Sequence, residues 1–333
     1  MTGKGSSVAI QGGSFVLIGG ASLVGSSTAE LMLERGARQV TILDNFAYGA
    51  DANIAHLVSD PRLAVRKGDV TRMEDVTGAV AGADGVVHLA ALMTISMSGN
   101  PRRGIDVNIG GAANVVDACC AQGVRKLIFA SSNAVYGYGP QVSGRLVEAT
   151  PFHADGASPA SALYGASKII GEQLCRDAFQ RHGLGYLVLR YSTVYGERQH
   201  ARAANSAFIL DAIEKIGRGE APVCAGTGAE TKHYVYVGDV ARANLAALES
   251  ERVDGAFNVS GPRPTTSREV LELLLEILGS RLRPVYTAPT DSQRLLAVGG
   301  PFEIDHARAT EALGWAPEVD MREGLSRLVA WRG

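Results

Sequence analysis

A tyrosine and a lysine stand four residues apart in Tyr164-Gly165-Ala166-Ser167-Lys168, at the opening of a stretch that patterns as a helix. Residues four apart share a helical face, so the phenol and the ammonium point the same way. An ammonium beside a phenol, with a cationic cofactor ring nearby, stabilises the phenolate and brings the Tyr164 pKa down toward working pH. Such a pair can move the proton of an alcohol. Taken alone the spacing is common, and a solvated helix face accounts for it equally well. A further hydroxyl comes from Ser131-Ser132-Asn133, directly after the apolar run Leu127–Ala130. There it can hydrogen-bond the substrate oxygen that gains or loses the proton; the plainer reading is a polar turn.

Two features point to a partner for that chemistry. The apolar run Phe15–Ile18 leads straight into Gly19-Gly20-Ala21-Ser22-Leu23-Val24-Gly25 and then a helical pattern. A strand, a tight glycine turn and a helix start aim backbone N–H groups and the helix dipole at a pyrophosphate. Glycine also serves ordinary turns, so the position after the first strand is what raises the signal. Asp44 closes the second apolar run, where a carboxylate accepts hydrogen bonds from both hydroxyls of an adenosine ribose and repels a 2′-phosphate. NAD is thereby favoured over NADP. A turn-forming Asp44-Asn45 pair is the alternative. Together the four features imply hydride chemistry on a secondary alcohol.

The elements that must position these residues alternate strand and helix. Strands are expected at Phe15–Ile18, Val40–Leu43, Leu63–Lys67, Gly85–Leu89, Leu127–Ala130 and Tyr186–Arg190, with helices over Ser26–Arg35, Gly110–Gln122 and Ser161–His182. That alternation predicts an α/β fold, a doubly wound parallel sheet of the Rossmann type, over 14–190. Beyond Arg190 the pattern loosens. Glu197–Asn205 reads as a loop, Asp239–Leu248 as a helix capped by Asp239, and Ala256–Val259 as a strand. Thr265–Leu278 and His306–Gly314 read as short helices. A smaller C-terminal α/β substrate domain over 191–233 and 262–333 follows, with 234–261 returning to the main sheet.

Bulk properties exclude other classes. The 333 residues are 46% hydrophobic and 20% charged, enough for a sizeable core and about two domains. A formal charge of -2 leaves no broad basic face for nucleic acid. No apolar run is long enough to span a membrane, and residues 1–13 read as a flexible leader without the apolar stretch of a secretory signal. Cys119, Cys120, Cys175 and Cys224 fit neither a zinc site nor a redox pair. Reduced thiols in a cytoplasmic protein without a metal are expected.

The chain resembles the extended short-chain dehydrogenase/reductase family, in its NAD-dependent nucleotide-sugar epimerase/dehydratase branch. The resemblance covers nearly the whole chain. It is carried by Gly19–Gly25, Leu43-Asp44-Asn45, Gly68-Asp69-Val70, Val87-His88-Leu89-Ala90-Ala91, Asp106-Val107-Asn108, Phe129–Gly137, Tyr164–Lys168, Leu189–Gly196 and Tyr236–Val240. It implies that Asp69 and Val70 contact the adenine and that Leu89, Ala90 and Ala91 pass beside the cofactor. Asn45, Asn108, Tyr191 and Val194 complete the implied cofactor set. Ser132 falls on the catalytic Ser/Thr position, Tyr164 on the acid/base, and Lys168 on the residue that holds the nicotinamide ribose. The helices Gly110–Gln122 and Ser161–His182 match those that pair two subunits, so a homodimer is expected.

Within the branch, dehydratases carry an Asp-Glu pair where this chain has Asn133 and Ala134, and decarboxylases usually place Glu at Ala134. Those two readings fall, and the 4-epimerases of UDP-hexoses or UDP-hexuronates are the nearest match. Such an enzyme passes through a transient 4-keto sugar with no net redox change. The implied substrate set is Asn133, Thr193, His200, Lys232 and Arg294. Thr193 resembles the uronate 4-epimerases, which favour Arg at His200. Lys232 replaces an arginine that reaches the diphosphate, keeping charge but losing the fork. Ser22 replaces the middle glycine of the turn. His200 and Lys232 can equally be surface residues. A dehydrogenase of a non-nucleotide sugar, polyol or other secondary alcohol is the second reading, and a non-catalytic NAD sensor the third.

Overall fold

The computed structural model describes residues 7–139, 141–199, 204–288 and 302–332. Seven parallel strands form the main sheet: β1 (Ser14–Ile18), β2 (Gln39–Asp44), β3 (Leu63–Lys67), β4 (Gly85–His88), β5 (Lys126–Ser132), β6 (Gly185–Tyr191) and β7 (Ala256–Val259), in the spatial order β7-β6-β5-β4-β1-β2-β3. Their residues alternate between two cores. Leu17, Val87, Ile128 and Leu189 pack beneath one layer, which includes the helices Leu23–Glu34 and Val237–Glu249. Val16, Val86, Leu127 and Val188 face the other, which includes Met73–Val80, Ala112–Ala121 and Pro159–His182. Burial on both faces explains why these strands read as continuous apolar runs. Only β3, at the edge, shows water its Arg66 and Lys67, a composition that discourages strand addition.

The order reverses between β1 and β4, whose carboxyl ends sit side by side with Ile18 opposite His88. A doubly wound sheet opens its ligand crevice at such a point. The chain leaves β1 into the Gly19–Gly25 turn and leaves β4 into the Leu89–Met93 strap, so both reach that crevice.

A third core gathers Tyr195, Ile209, Tyr234, Leu271, Leu274, Leu325 and Leu328. It is built on a small sheet of Thr193–Tyr195, Thr231–Tyr236 and Pro264–Thr266, with the helices Ala204–Gly217, Ser267–Ile277 and Met321–Arg332. The segment 234–261 divides. Tyr234–Tyr236 pairs with Thr193–Tyr195 in this small sheet, while the helix Val237–Glu249 covers the main one and β7 joins its edge beside β6.

Two local expectations are corrected. Val8 and Ile10 are fully buried, and the Val8 N–H donates to Leu248 O at 2.8 Å. Two apolar side chains suffice to fasten residues 8–10 of the expected leader to the body. Asp239 does not cap its helix, which starts at Val237 with Tyr236 at the N-cap. Its carboxylate instead accepts from Arg242 and from the Glu318 and Val319 N–H groups, and its carbonyl accepts from Trp315 Nε1. The residue moors the C-terminal segment. Helix Met321–Arg332 and strand Thr231–Tyr236 were not anticipated from the sequence.

Candidate active site

At the crevice lies a cleft of about 820 Å³. The glycine turn forms its floor. Gly19 has φ +81, and a Cβ there would meet Ala90 N at 2.7 Å, so glycine lets the turn lie against the strap. Gly25 packs on Gly20, where a Cβ would stand 2.5 Å from Gly20 Cα. Ser22 adopts ordinary extended backbone and caps the helix: its hydroxyl donates to Gly19 O (2.7 Å) and accepts from Gly25 N–H (3.2 Å). The serine in place of the middle glycine thus rigidifies the turn and leaves the first-turn N–H groups of Leu23 and Val24 at the cleft.

Asp44 ends β2 beside this turn. Its carboxylate is buried and accepts from Ala21 N–H (3.0 Å) and Phe46 N–H (2.8 Å). Burial pushes its pKa up, and those backbone bonds pull the other way. Asp69 lies farther along the same end. Although burial pushes Asp69 up, hydrogen bonds from Thr71, Asn45 and Arg103 outweigh it and hold the carboxyl well below the usual range.

At the opposite end stand the proton-transfer candidates. Ser158 caps the helix Pro159–His182 with Pro159 in its first turn. Gly171 lets that helix sit on the sheet, since a Cβ there would meet the Phe129 ring at 2.2 Å. Tyr164, Lys168 and Ser132 all line the cleft, and Tyr164 is hydrogen-bonded to Ser132. Lys168 Nζ donates to Ala130 O at 2.8 Å and lies 6.0 Å from the centroid of the Tyr164 ring.

The expected lowering of the Tyr164 pKa is not produced by the chain's own groups. Burial pushes the phenol up to about 12 despite the Ser132 hydrogen bond. Burial likewise brings Lys168 down to about 8, with Glu172 opposing. A cationic nicotinamide ring is the charge that would favour phenolate here.

Most of the other candidates share the cleft. Gly19, Ser22, Leu23, Val24, Asp44, Asn45, Asp69, Val70, Leu89, Ala90, Ala91, Tyr191 and Val194 line it, as do Asn133, Thr193 and Lys232. Three expected cofactor residues do not. Gly20 and Gly25 face each other inside the turn. Asn108 sits behind the strap, accepting from Leu92 N–H (2.7 Å) and donating to Leu92 O (2.9 Å) and Ser167 Oγ (3.1 Å). It belongs to a π-helical turn, Asp106–Gly111, and couples the strap to the helix Pro159–His182. Tyr191 turns its hydroxyl away to Asn244 (2.6 Å). His200 and Arg294 lie outside the described residues.

Lys232 lines the cleft, no partner holds its ammonium among the described residues, and burial pushes its pKa down. An unpaired cation facing a cavity suits an anionic ligand. The cleft also takes in Thr94, Arg103, Tyr138, His233 and Phe302. Tyr138 is tied to Thr94 and Ser161. None of these had a spacing signal, because short helices, a loop and two remote strands bring them in. Among the described residues no cluster of His, Cys, Asp or Glu is placed to hold a metal ion.

The fold and the cleft define a dinucleotide-dependent enzyme. The chain belongs to the NAD dependent epimerase/dehydratase family, whose model matches residues 15–260. It is 31% identical over 322 residues to a putative UDP-glucose 4-epimerase of Methanocaldococcus jannaschii, covering 95% of this chain and 97% of that one. A Thermotoga maritima UDP-glucose 4-epimerase solved with UDP-glucose shares 29% identity and a TM-score of 0.83 over 96% of this chain and 98% of its own. The Thermus thermophilus UDP-glucose 4-epimerase in complex with NAD shares 30% and 0.80, over 96% and 99%. dTDP-glucose 4,6-dehydratases and UDP-glucuronic acid decarboxylases match as well.

Proposed function

We propose that the protein is a nucleotide-sugar 4-epimerase, acting on a UDP-hexose or UDP-hexuronate. The observation that carries this reading is one cleft with a proton-transfer pair at one end of a dinucleotide floor and Lys232, unpaired among the described residues, on its substrate side. The UDP-glucose 4-epimerase relatives support the nucleotide sugar, and the Asn133-Ala134 pair lacks the acid that the dehydratase and decarboxylase readings need.

The cradle of Gly19–Gly25, Asp44 and the Leu89–Ala91 strap suits NAD, which when bound supplies the hydride acceptor and donor. Tyr164 takes and returns the proton of the C4 hydroxyl, and Ser132 holds that oxygen. Lys168, fixed to Ala130 O, holds the nicotinamide ribose. Lys232 draws the diphosphate, and Thr193 and Asn133 meet the sugar. His200 and Arg294 are kept as substrate residues on the resemblance alone. The four free thiols suit the cytoplasm.

A panel of sugar nucleotides and free sugars, assayed for isomerisation and for NADH, tests the reading. Isomerisation of a UDP-sugar without NADH accumulation is expected. Stoichiometric NADH from a free polyol would establish the dehydrogenase reading instead. Lys232→Ala should raise the KM for a UDP-sugar at least tenfold; an equal effect on a neutral sugar would remove the diphosphate role.

A further inference from the structure

Three consecutive residues at the end of β5 are bonded to a single helix. Ala130 O accepts from Lys168 Nζ at 2.8 Å, the Ser131 hydroxyl donates to Glu172 Oε1 at 2.6 Å, and Ser132 is hydrogen-bonded to Tyr164. Tyr164, Lys168 and Glu172 are spaced four apart, so they form one stripe on the helix Pro159–His182. The proposed reaction uses the first two members of that stripe. Glu172 is left over.

Glu172 does not reach the reacting atoms, since neither it nor Arg190 is among the described residues that line the cleft. Arg190 stands opposite Ser131 in β6. Its guanidinium holds Glu172 with two prongs, Nε to Oε1 at 3.0 Å and Nη2 to Oε2 at 2.7 Å. Glu172 is buried and Arg190 nearly so. The fork is itself fixed from outside the helix, because Nη1 donates to Glu148 O at 2.8 Å and to the Tyr136 hydroxyl at 3.3 Å.

Apolar contacts already bury this helix: its Cys175 and Ala178 lie in the core that includes Val16 and Val188. Such contacts are non-directional and tolerate a small slide or roll. A buried fork does not, because its two charges compensate each other at one geometry. Proton transfer is the step that feels such a displacement, since a misplacement of about 1 Å can cost about 10²-fold in rate.

We propose that Glu172, clamped by Arg190, is a positioning residue: it sets the helix against the end of β5 at the register where Tyr164, Ser132 and Lys168 converge. The inference rests on the proton-transfer reading of those three residues, and it holds for isomerisation and dehydrogenation alike.

The test measures kcat, KM, bound NAD and Tm of the holoenzyme, with whichever substrate of the panel the parent turns over. Glu172→Gln should lower kcat about tenfold or more, with KM and NAD content little changed. Arg190→Lys keeps a cation beside Glu172 and keeps the Glu172 charge near Lys168, but loses the fork; it should lower kcat as well. Glu172→Met combined with Arg190→Met removes both buried charges together, an exchange that folds commonly tolerate. This double variant provides the test if the single variants do not fold: its Tm should stay near the parent's while kcat shows the same loss. Parental kcat in the double variant would overturn the positioning role. A loss in Glu172→Gln with none in Arg190→Lys would also overturn it, by tracing the effect to charge on Lys168. Undiminished turnover in Tyr164→Phe would instead remove the proton-transfer reading, and the positioning role with it.

Discussion

At the scale of single residues, proton transfer and desolvation compete. Burial places Tyr164 at about 12 and Lys168 at about 8, so the resting phenol is protonated at neutral pH. Replacing Tyr164 with Phe removes one hydroxyl. Turnover should fall by about 10²–10⁴-fold, while NAD affinity, measured by fluorescence titration, stays within a few-fold. Unchanged turnover would end the catalytic assignment. Lys168 has a consequence for stability. Its folded pKa lies below the usual 10.5, so the fold disfavours its charged form. That penalty is complete below pH 8 and is relieved as pH rises from 8 toward 10.5, because the unfolded chain binds the extra proton in this window. The stability of the parent relative to Lys168→Met, from urea unfolding, should therefore increase between pH 8 and 10. A flat difference would contradict the burial.

At the scale of elements, the helix that carries Tyr164 and Lys168 depends on its glycines. Gly171 faces the ring of Phe129, itself buried at 2% exposure, so an added methyl has no room and must shift either helix or ring. Gly171→Ala should destabilise the protein by about 1–3 kcal/mol despite the better helix propensity of alanine. Thermal unfolding checks this: a raised Tm would show that the helix stands farther from the sheet. Behind the same helix, Arg190 forms a two-pronged pair with Glu172, which also accepts from Ser131 (2.6 Å). Arg190 also donates to the Tyr136 hydroxyl, which donates in turn to Asn258. This network ties β5, β6 and β7 to the helix. It was not legible in the sequence, because its hydrogen-bonded partners are up to 122 residues apart.

At the scale of the molecule, the helix Pro159–His182 leaves Leu163 and Ile170 exposed, seven residues apart and so on one face. We propose that a second copy covers that face, as the resemblance implies. Sedimentation equilibrium should give twice the 34.9 kDa chain mass, and Leu163→Arg with Ile170→Arg should shift it toward monomer. A monomeric parent would remove the proposal. No described helix is long and apolar enough to cross a membrane.

The residue order by itself determined the parallel sheet, the glycine turn, Asp44 and the Ser132, Tyr164 and Lys168 set. Strands buried on both faces must be apolar runs, and a phenol and ammonium that meet on one helical face must be three or four apart; both are local constraints. Tertiary structure decided what depends on distant segments meeting. It fastened Val8 and Ile10 to the body, moved Asp239 from cap to mooring, and set Asn108 behind the strap. It also paired Asp69 with Thr71, Asn45 and Arg103 and brought Lys232 to the cleft. Spacing cannot foretell these, because a side chain's partners are chosen by whichever loops the packed sheet brings alongside.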